Sequence, residues 1–111
     1  TTDNDRIELL IEKEKYSNNE TMTLTIVNRS TGQLSFGRPY SIQQFSNGEW
    51  QDYPLNLFFT MDLILLQPGK TFEQLIQLEE LETGRYRIMK KVMVEDTHTT
   101  FEFAEEFEIT G

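Results

Sequence analysis

At 111 residues the chain suits one domain, residues 1–111 with an ordered core over about residues 6–110, and it is too short for two. It has no cysteine, which removes disulfides, thiolate metal sites and cysteine nucleophiles. Nineteen acidic against ten basic residues give a net charge of −9, a field that repels nucleic acid and anionic membrane, and no apolar run reaches the roughly 18 residues of a membrane span. Alanine occurs once, at Ala104, while threonine, phenylalanine and isoleucine are abundant. β-Branched and aromatic side chains suit a pleated, half-buried surface, so the composition reads as all-β.

In chain order, Arg6 to Glu12 alternates Ile7, Leu9 and Ile11 with acidic residues, the period of a strand. Lys15 to Glu20 holds Ser17-Asn18-Asn19 and reads as a turn. Thr21 to Val27 is the clearest strand, with Met22, Leu24 and Ile26 on one face and three threonines on the other. Asn28 to Gly32 is a polar loop, and a short extended piece through Leu34 and Phe36 stops at Gly37 and Pro39. Tyr40 to Phe45 and Glu49 to Tyr53 flank Ser46-Asn47-Gly48, where Asn-Gly is the strongest short hairpin signal. Leu57 to Leu66 is apolar on both faces apart from Thr60 and Asp62, which predicts a central or doubly covered strand. Pro68-Gly69 predicts a type II turn. Thr71 to Leu78 reads as another strand or an irregular edge, with Phe72, Ile76 and Leu78 in rough phase. Tyr86 to Val94 loses its alternation around Met89-Lys90-Lys91, which predicts a bulge. Asp96 to Thr100 is a polar turn, and Phe101 to Ile109 closes the chain with Phe101, Phe103, Phe107 and Ile109 in phase. Seven to nine short antiparallel strands at this spacing predict two packed sheets around Leu24, Ile26, Tyr86 and Phe103.

The segment Gly84-Arg85-Tyr86-Arg87-Ile88 resembles the tyrosine corner of immunoglobulin-like folds, with Gly84 and Tyr86 in structural roles and Ile88 where an antibody domain carries its second cysteine. The wider order resembles bacterial Ig-like domains of Gram-positive surface proteins and lipoproteins. It runs from a strand ending in Asn28, through Asn47-Gly48-Glu49-Trp50 and Leu66-Gln67-Pro68-Gly69, to Gly84–Ile88 and a final Phe-x-x-x-Phe-x-Ile. It is also similar to the bacterial intracellular proteinase inhibitor family. The resemblance covers about Ile7 to Ile109 and implies a cysteine-free Ig-like β-sandwich, with no catalytic residues to carry over.

The chemistry that the residues offer is sparse. His98, the one histidine, stands in a polar turn with no G-x-S-x-G motif to serve. Glu79, Glu80 and Glu82 read as solvated, and no calcium-loop motif is present. Asp62 is expected at an edge or beside a local partner. Glu105 shares the face of Phe103 and Phe107 and calls for a rim position, a bulge, or a partner from Arg85, Arg87, Lys90 or Lys91. Those four cations are expected to pair with glutamates on neighbouring strands. Trp50, Tyr53 and Tyr40, around the hairpin, are the candidate partner contacts, as a stacking platform or a hot spot.

The expectation is therefore a non-enzymatic domain without cofactor or metal. It is an extracytoplasmic interaction or spacer module of a bacterial surface protein, with a protein partner or neighbouring domain. The alternative is a cytoplasmic proteinase inhibitor. Self-association is expected as monomer or weak edge-strand dimer. Thr1-Thr2-Asp3-Asn4 carries neither methionine nor a targeting signal, the pattern of a processed start or of a domain taken from a longer chain.

Overall fold

The structure is a computed structural model that describes residues 6–54, 59 and 62–110. Among them run ten strands: β1 (Ile7–Ile11), β2 (Lys15–Ser17), β3 (Thr21–Asn28), β4 (Leu34–Phe36), β5 (Ser41–Ser46), β6 (Glu49–Asp52), β7 (Ile64–Leu66), β8 (Thr71–Gln77), β9 (Gly84–Val94) and β10 (Thr99–Thr110). One sheet has the order β1-β3-β8. The larger has the order β2-β10-β9-β4-β7, and the β5–β6 hairpin attaches to β9 beside β4. Every pairing is antiparallel except that of β2 with β10, which is parallel.

The period of two puts Met22, Leu24 and Ile26 of β3 into the space between the sheets, where they meet Tyr86, Ile88, Val92 and Val94 of β9. All seven are buried, each contributing roughly 1.5–3 kcal/mol relative to an exposed side chain. Phe101 and Phe103 pack against this core while partly exposed. Among the described residues no helix forms, so none is long and apolar enough to cross a membrane.

Two turns follow from positive φ. Asn47 (φ 54°) and Gly48 (φ 79°) both take it, as a two-residue type I′ hairpin requires, and this locks Phe45 opposite Trp50. Gly69 (φ 81°) is the third residue of a turn closed by Lys70 N–H donating to the Gln67 carbonyl at 3.1 Å. A Cβ at Gly69 would meet nothing within 4 Å, so only the backbone resists a side chain there. Gly69→Ala is expected to cost about 1 kcal/mol in a urea unfolding titration.

Four expectations change. The strand count rises from the seven to nine expected to ten among the described residues, with one parallel pair. No bulge interrupts β9 at Met89–Lys91, since its register with β10 runs unbroken from Gly84↔Ile109 to Val94↔Thr99. The apparent slip arises because Lys90 takes an inward position and is buried there. Within the expected turn at Lys15–Glu20, Lys15–Ser17 is a strand. Tyr16 anchors it, its ring buried edge-on to Phe107 at 6.2 Å and its hydroxyl accepting from the Lys13 N–H. Of the long apolar strand expected at Leu57–Leu66, Leu57, Phe58, Thr60 and Met61 lie outside the described residues. Among the described residues its remaining end, β7, pairs with β4 alone and leaves Leu63 and Leu65 exposed, so it is neither central nor doubly covered among them.

Candidate functional site: an aromatic and arginine face on the larger sheet

Alternation along β9 turns Arg85, Arg87, Met89 and Lys91 outward, the opposite face to Tyr86, Ile88 and Lys90. The β5–β6 hairpin packs beside them, with Gln43 against Arg87 in register, and brings Phe45 and Trp50 onto the same outer face. Phe45 meets Trp50 edge-on, centroids 5.2 Å apart. The Arg87 guanidinium lies 4.6 Å from the Trp50 ring centre, and that of Arg85 lies 5.0 Å from Phe45 and 5.6 Å from Trp50. Each such contact is worth about 0.5–1 kcal/mol at an exposed site.

Hydrogen bonds aim both arginines. Arg87 Nε donates to Gln43 Oε1 at 2.7 Å, and Gln43 Nε2 in turn donates to Asp52 Oδ1 at 3.0 Å. Arg85 reaches Glu106 Oε1 through Nη2 at 2.6 Å and Nε at 3.1 Å. The planar guanidiniums thus stack on the rings while their edges are held in place.

Tyr40 and Tyr53 lie in a different place from Trp50. They line a cleft of about 370 Å³ with Asp52, Pro54 and Phe59. The Tyr40 ring meets Phe59 edge-on at 5.2 Å, and burial, with Glu80 adding to it, pushes its hydroxyl up to about 12. The Tyr53 hydroxyl donates to the Glu80 carbonyl at 3.2 Å, and its ring sits edge-on to Tyr86 at 5.4 Å. Trp50 stays half-buried on the outer face.

The remaining polar residues stay apart. His98 is exposed in its turn at φ 53°, and Asp62 is an exposed acceptor for Arg38 Nε at 3.2 Å. Glu105 is half-buried opposite Ile88, and burial raises its carboxyl above the ordinary value, with Glu106 adding to the rise. Three of the four cations proposed for it go elsewhere, Arg85 to Glu106, Arg87 to Gln43 and Lys90 to backbone carbonyls, and Lys91 is exposed on the outer face. Only Arg85 of the four follows the expected pairing with a glutamate on a neighbouring strand. Among the described residues no three His, Asp or Glu side chains come together as a metal set.

A family model described as a bacterial Ig-like domain matches residues 3–108. The chain belongs to the bacterial Ig-like domain family. No curated protein matches it. Domains of this family are typically non-catalytic and are often found on extracellular proteins.

In this Ig-like domain the Tyr86 hydroxyl donates to the Glu82 carbonyl four residues upstream at 2.7 Å, and Gln44 Nε2 donates to that hydroxyl at 3.4 Å. The ring stacks on Phe107 at 5.7 Å, and burial, followed by Tyr53, raises the hydroxyl to about 12. Gly84 leaves room for this: a Cβ there would stand 3.2 Å from Gln44 Nε2 and 3.7 Å from the Tyr86 ring.

Sequence reasoning named Trp50 but missed Phe45, Arg85 and Arg87 as its neighbours. The Phe45 contact was within reach, because a two-residue Asn-Gly turn sets Ser46 against Glu49 and hence Phe45 against Trp50. The arginines were out of reach, because their contact depends on β5 pairing with β9 across some forty residues, which no local pattern encodes.

Proposed function

We propose that this Ig-like domain is a non-catalytic, extracytoplasmic interaction module that holds a protein partner against the outer face of β6, β5, β9 and β10. The observation that carries the reading is the cluster of Phe45, Trp50, Arg85 and Arg87, whose rings and guanidiniums are locked to one another while the face stays open. Tryptophan and arginine are the residue types that dominate binding energy at protein contacts. Their fixed orientation lowers the entropy lost on association. Among the described residues no three His, Asp or Glu side chains converge, and His98 is exposed in a turn, which supports the non-catalytic reading.

The test uses fluorescently labelled domain and intact cells of the bacterium of origin. Wild type is expected to be retained on the cells. A Trp50→Ala, Arg87→Ala double variant should lose about tenfold or more in retention, with its urea midpoint close to wild type. Equal retention of the two proteins would remove the platform from the reading. A stoichiometric loss of subtilisin activity on adding the domain would replace the reading with that of a proteinase inhibitor.

A further inference from the structure

Two depressions meet at Tyr40 and Ser41, which line both. The first is the cleft of about 370 Å³ that reaches Asp52, Tyr53 and Phe59. The second, about 420 Å³, extends the other way over Pro39 and Met89 to Lys91 and Glu102 on the outer face. Each falls within the size range of small-molecule sites. With Tyr40 and Ser41 lining both, the two depressions adjoin at these residues and are taken together as one groove.

We infer that this groove binds a neutral saccharide chain, with one sugar ring on either side of Tyr40. A pyranose presents a flat apolar face of C–H groups and a rim of hydroxyls, so it needs ring surfaces below and paired donors and acceptors around them. The groove supplies both. Tyr40, Tyr53 and Phe59 offer aromatic surface in one half, and Pro39 with Met89 offers apolar surface in the other. Asp52 accepts from Gln43 at Oδ1 and retains Oδ2 for a ligand hydroxyl. Lys91 stands opposite Glu102 in the β9–β10 register without an ion pair joining them, so a donor and an acceptor face the second half. The Tyr40 hydroxyl, raised to about 12 by burial, stays a donor at ordinary pH.

Two other ligand classes fit less well. An extended peptide adds to a sheet through free backbone groups. Here β5 is already taken by β9 over Ser41–Gln44, and the Ile42 carbonyl accepts from Tyr53 N–H at 2.9 Å. A polyanion meets a chain of net charge −9. The inference is independent of the partner-binding role of Trp50, which lines neither depression.

The experiment is titration of the ¹⁵N-labelled chain with cellotetraose and with chitotetraose, followed by NMR. The expected result is a progressive shift of the Tyr40, Ser41, Met89 and Lys91 amides with a Kd of about 0.1–1 mM. Tyr40→Ala should abolish the shifts. Should that variant fail to fold, Glu102→Gln and Lys91→Ala, both at exposed positions, keep the test alive. Each is expected to weaken binding roughly three- to tenfold without moving the urea midpoint. Silence from both sugars at about 10 mM would overturn the inference. So would shifts confined to the Trp50 side, equal binding of tetragalacturonate, or a proline decamer binding where the sugars do not.

Discussion

Replacing Lys90 with alanine is expected to destabilise the fold by about 3–5 kcal/mol, among the largest single effects available in this chain. The side chain is 1% exposed and enters the core from β9. Its ammonium donates to the carbonyls of Gly37, Arg38 and Pro39 at 2.7, 3.0 and 3.0 Å, and to Gln74 Oε1 at 3.2 Å. It also lies 5.6 Å from the centre of the Phe36 ring. One cation therefore satisfies the inward-turned loop after β4 and ties it to β8 of the opposite sheet. Alanine removes the donor that the half-buried Gly37 carbonyl and the buried Gln74 Oε1 share, while the Arg38 carbonyl keeps Gln74 Nε2 at 2.8 Å, and the packing of the stem is lost as well. Lys90→Met separates the two effects, because it keeps most of the volume, and about 2–4 kcal/mol is expected for it.

Lys90 also leaves a signature in pH. Burial, with Arg38 adding to it, lowers its pKa to about 8 from 10.5. Between those values the unfolded chain binds the proton that the folded chain has released, so stability rises with pH across that window by about 1.4 kcal/mol per unit at most. Below pH 8 the lysine is charged in both states and the effect levels off. Tyr40 and Tyr86 act in the other direction higher up. Each is held at about 12 against an ordinary 10, so unfolding releases protons between those values and stability falls as pH rises. The wild type is expected to gain on Lys90→Met from pH 8 to 10 in urea titrations. A difference that stays flat over that range would contradict the burial-lowered ammonium.

Asn28→Ala is expected to cost about 3 kcal/mol, although the sequence marks the residue only as the end of a strand and the start of a polar loop. Its side chain is fully buried, with both functions satisfied. Nδ2 donates to the carbonyls of Gly32 at 3.0 Å and Leu66 at 2.9 Å, while Oδ1 accepts from Ser30 N–H at 3.0 Å and Oγ at 2.6 Å. One amide thus joins the end of β3, the loop leading to β4 and the end of β7. Its own backbone holds the next turn, with N–H donating to the Lys70 carbonyl at 3.0 Å and the carbonyl accepting from Gly69 N–H at 2.7 Å. Asn28→Asp keeps the acceptor and turns the donor into an oxygen facing two carbonyls, so it should cost at least as much as alanine. Urea midpoints measure the cost. Faster hydrogen exchange at the Ser30 amide in either variant would localise it, and wild-type stability in Asn28→Asp would remove the assigned role.

The layers were readable because alternation is a local signal. Thr21 to Val27 and Phe101 to Ile109 carry it, and the Asn47-Gly48 turn fixes a register without help from the rest of the chain. The misreadings occurred where a polar residue does a core residue's work. Lys90 made a regular strand look bulged, Asn28 looked like loop, and Tyr16 was lost among its polar neighbours. In each case at least one partner is brought in from far along the chain: Gly37 and Gln74 for Lys90, the Leu66 carbonyl for Asn28 and the Phe107 ring for Tyr16. The candidate site divides in the same way. Its aromatic residues could be listed from the hairpin, but pairing with β9 decides that Trp50 meets two arginines while Tyr40 and Tyr53 turn to a separate groove.

The parallel pairing of β2 with β10 carries a mechanical consequence. Glu108, Ile109 and Thr110 lie alongside Lys15, Tyr16 and Ser17, with both strands running the same way. Tension applied from the N-terminal side of β2 and the C-terminal side of β10 pulls the two strands past each other. The bonds between them then share the load at once, in shear, instead of opening one after another as a zip would. Burial of Tyr16 and Ile109 beneath that seam resists the first slip.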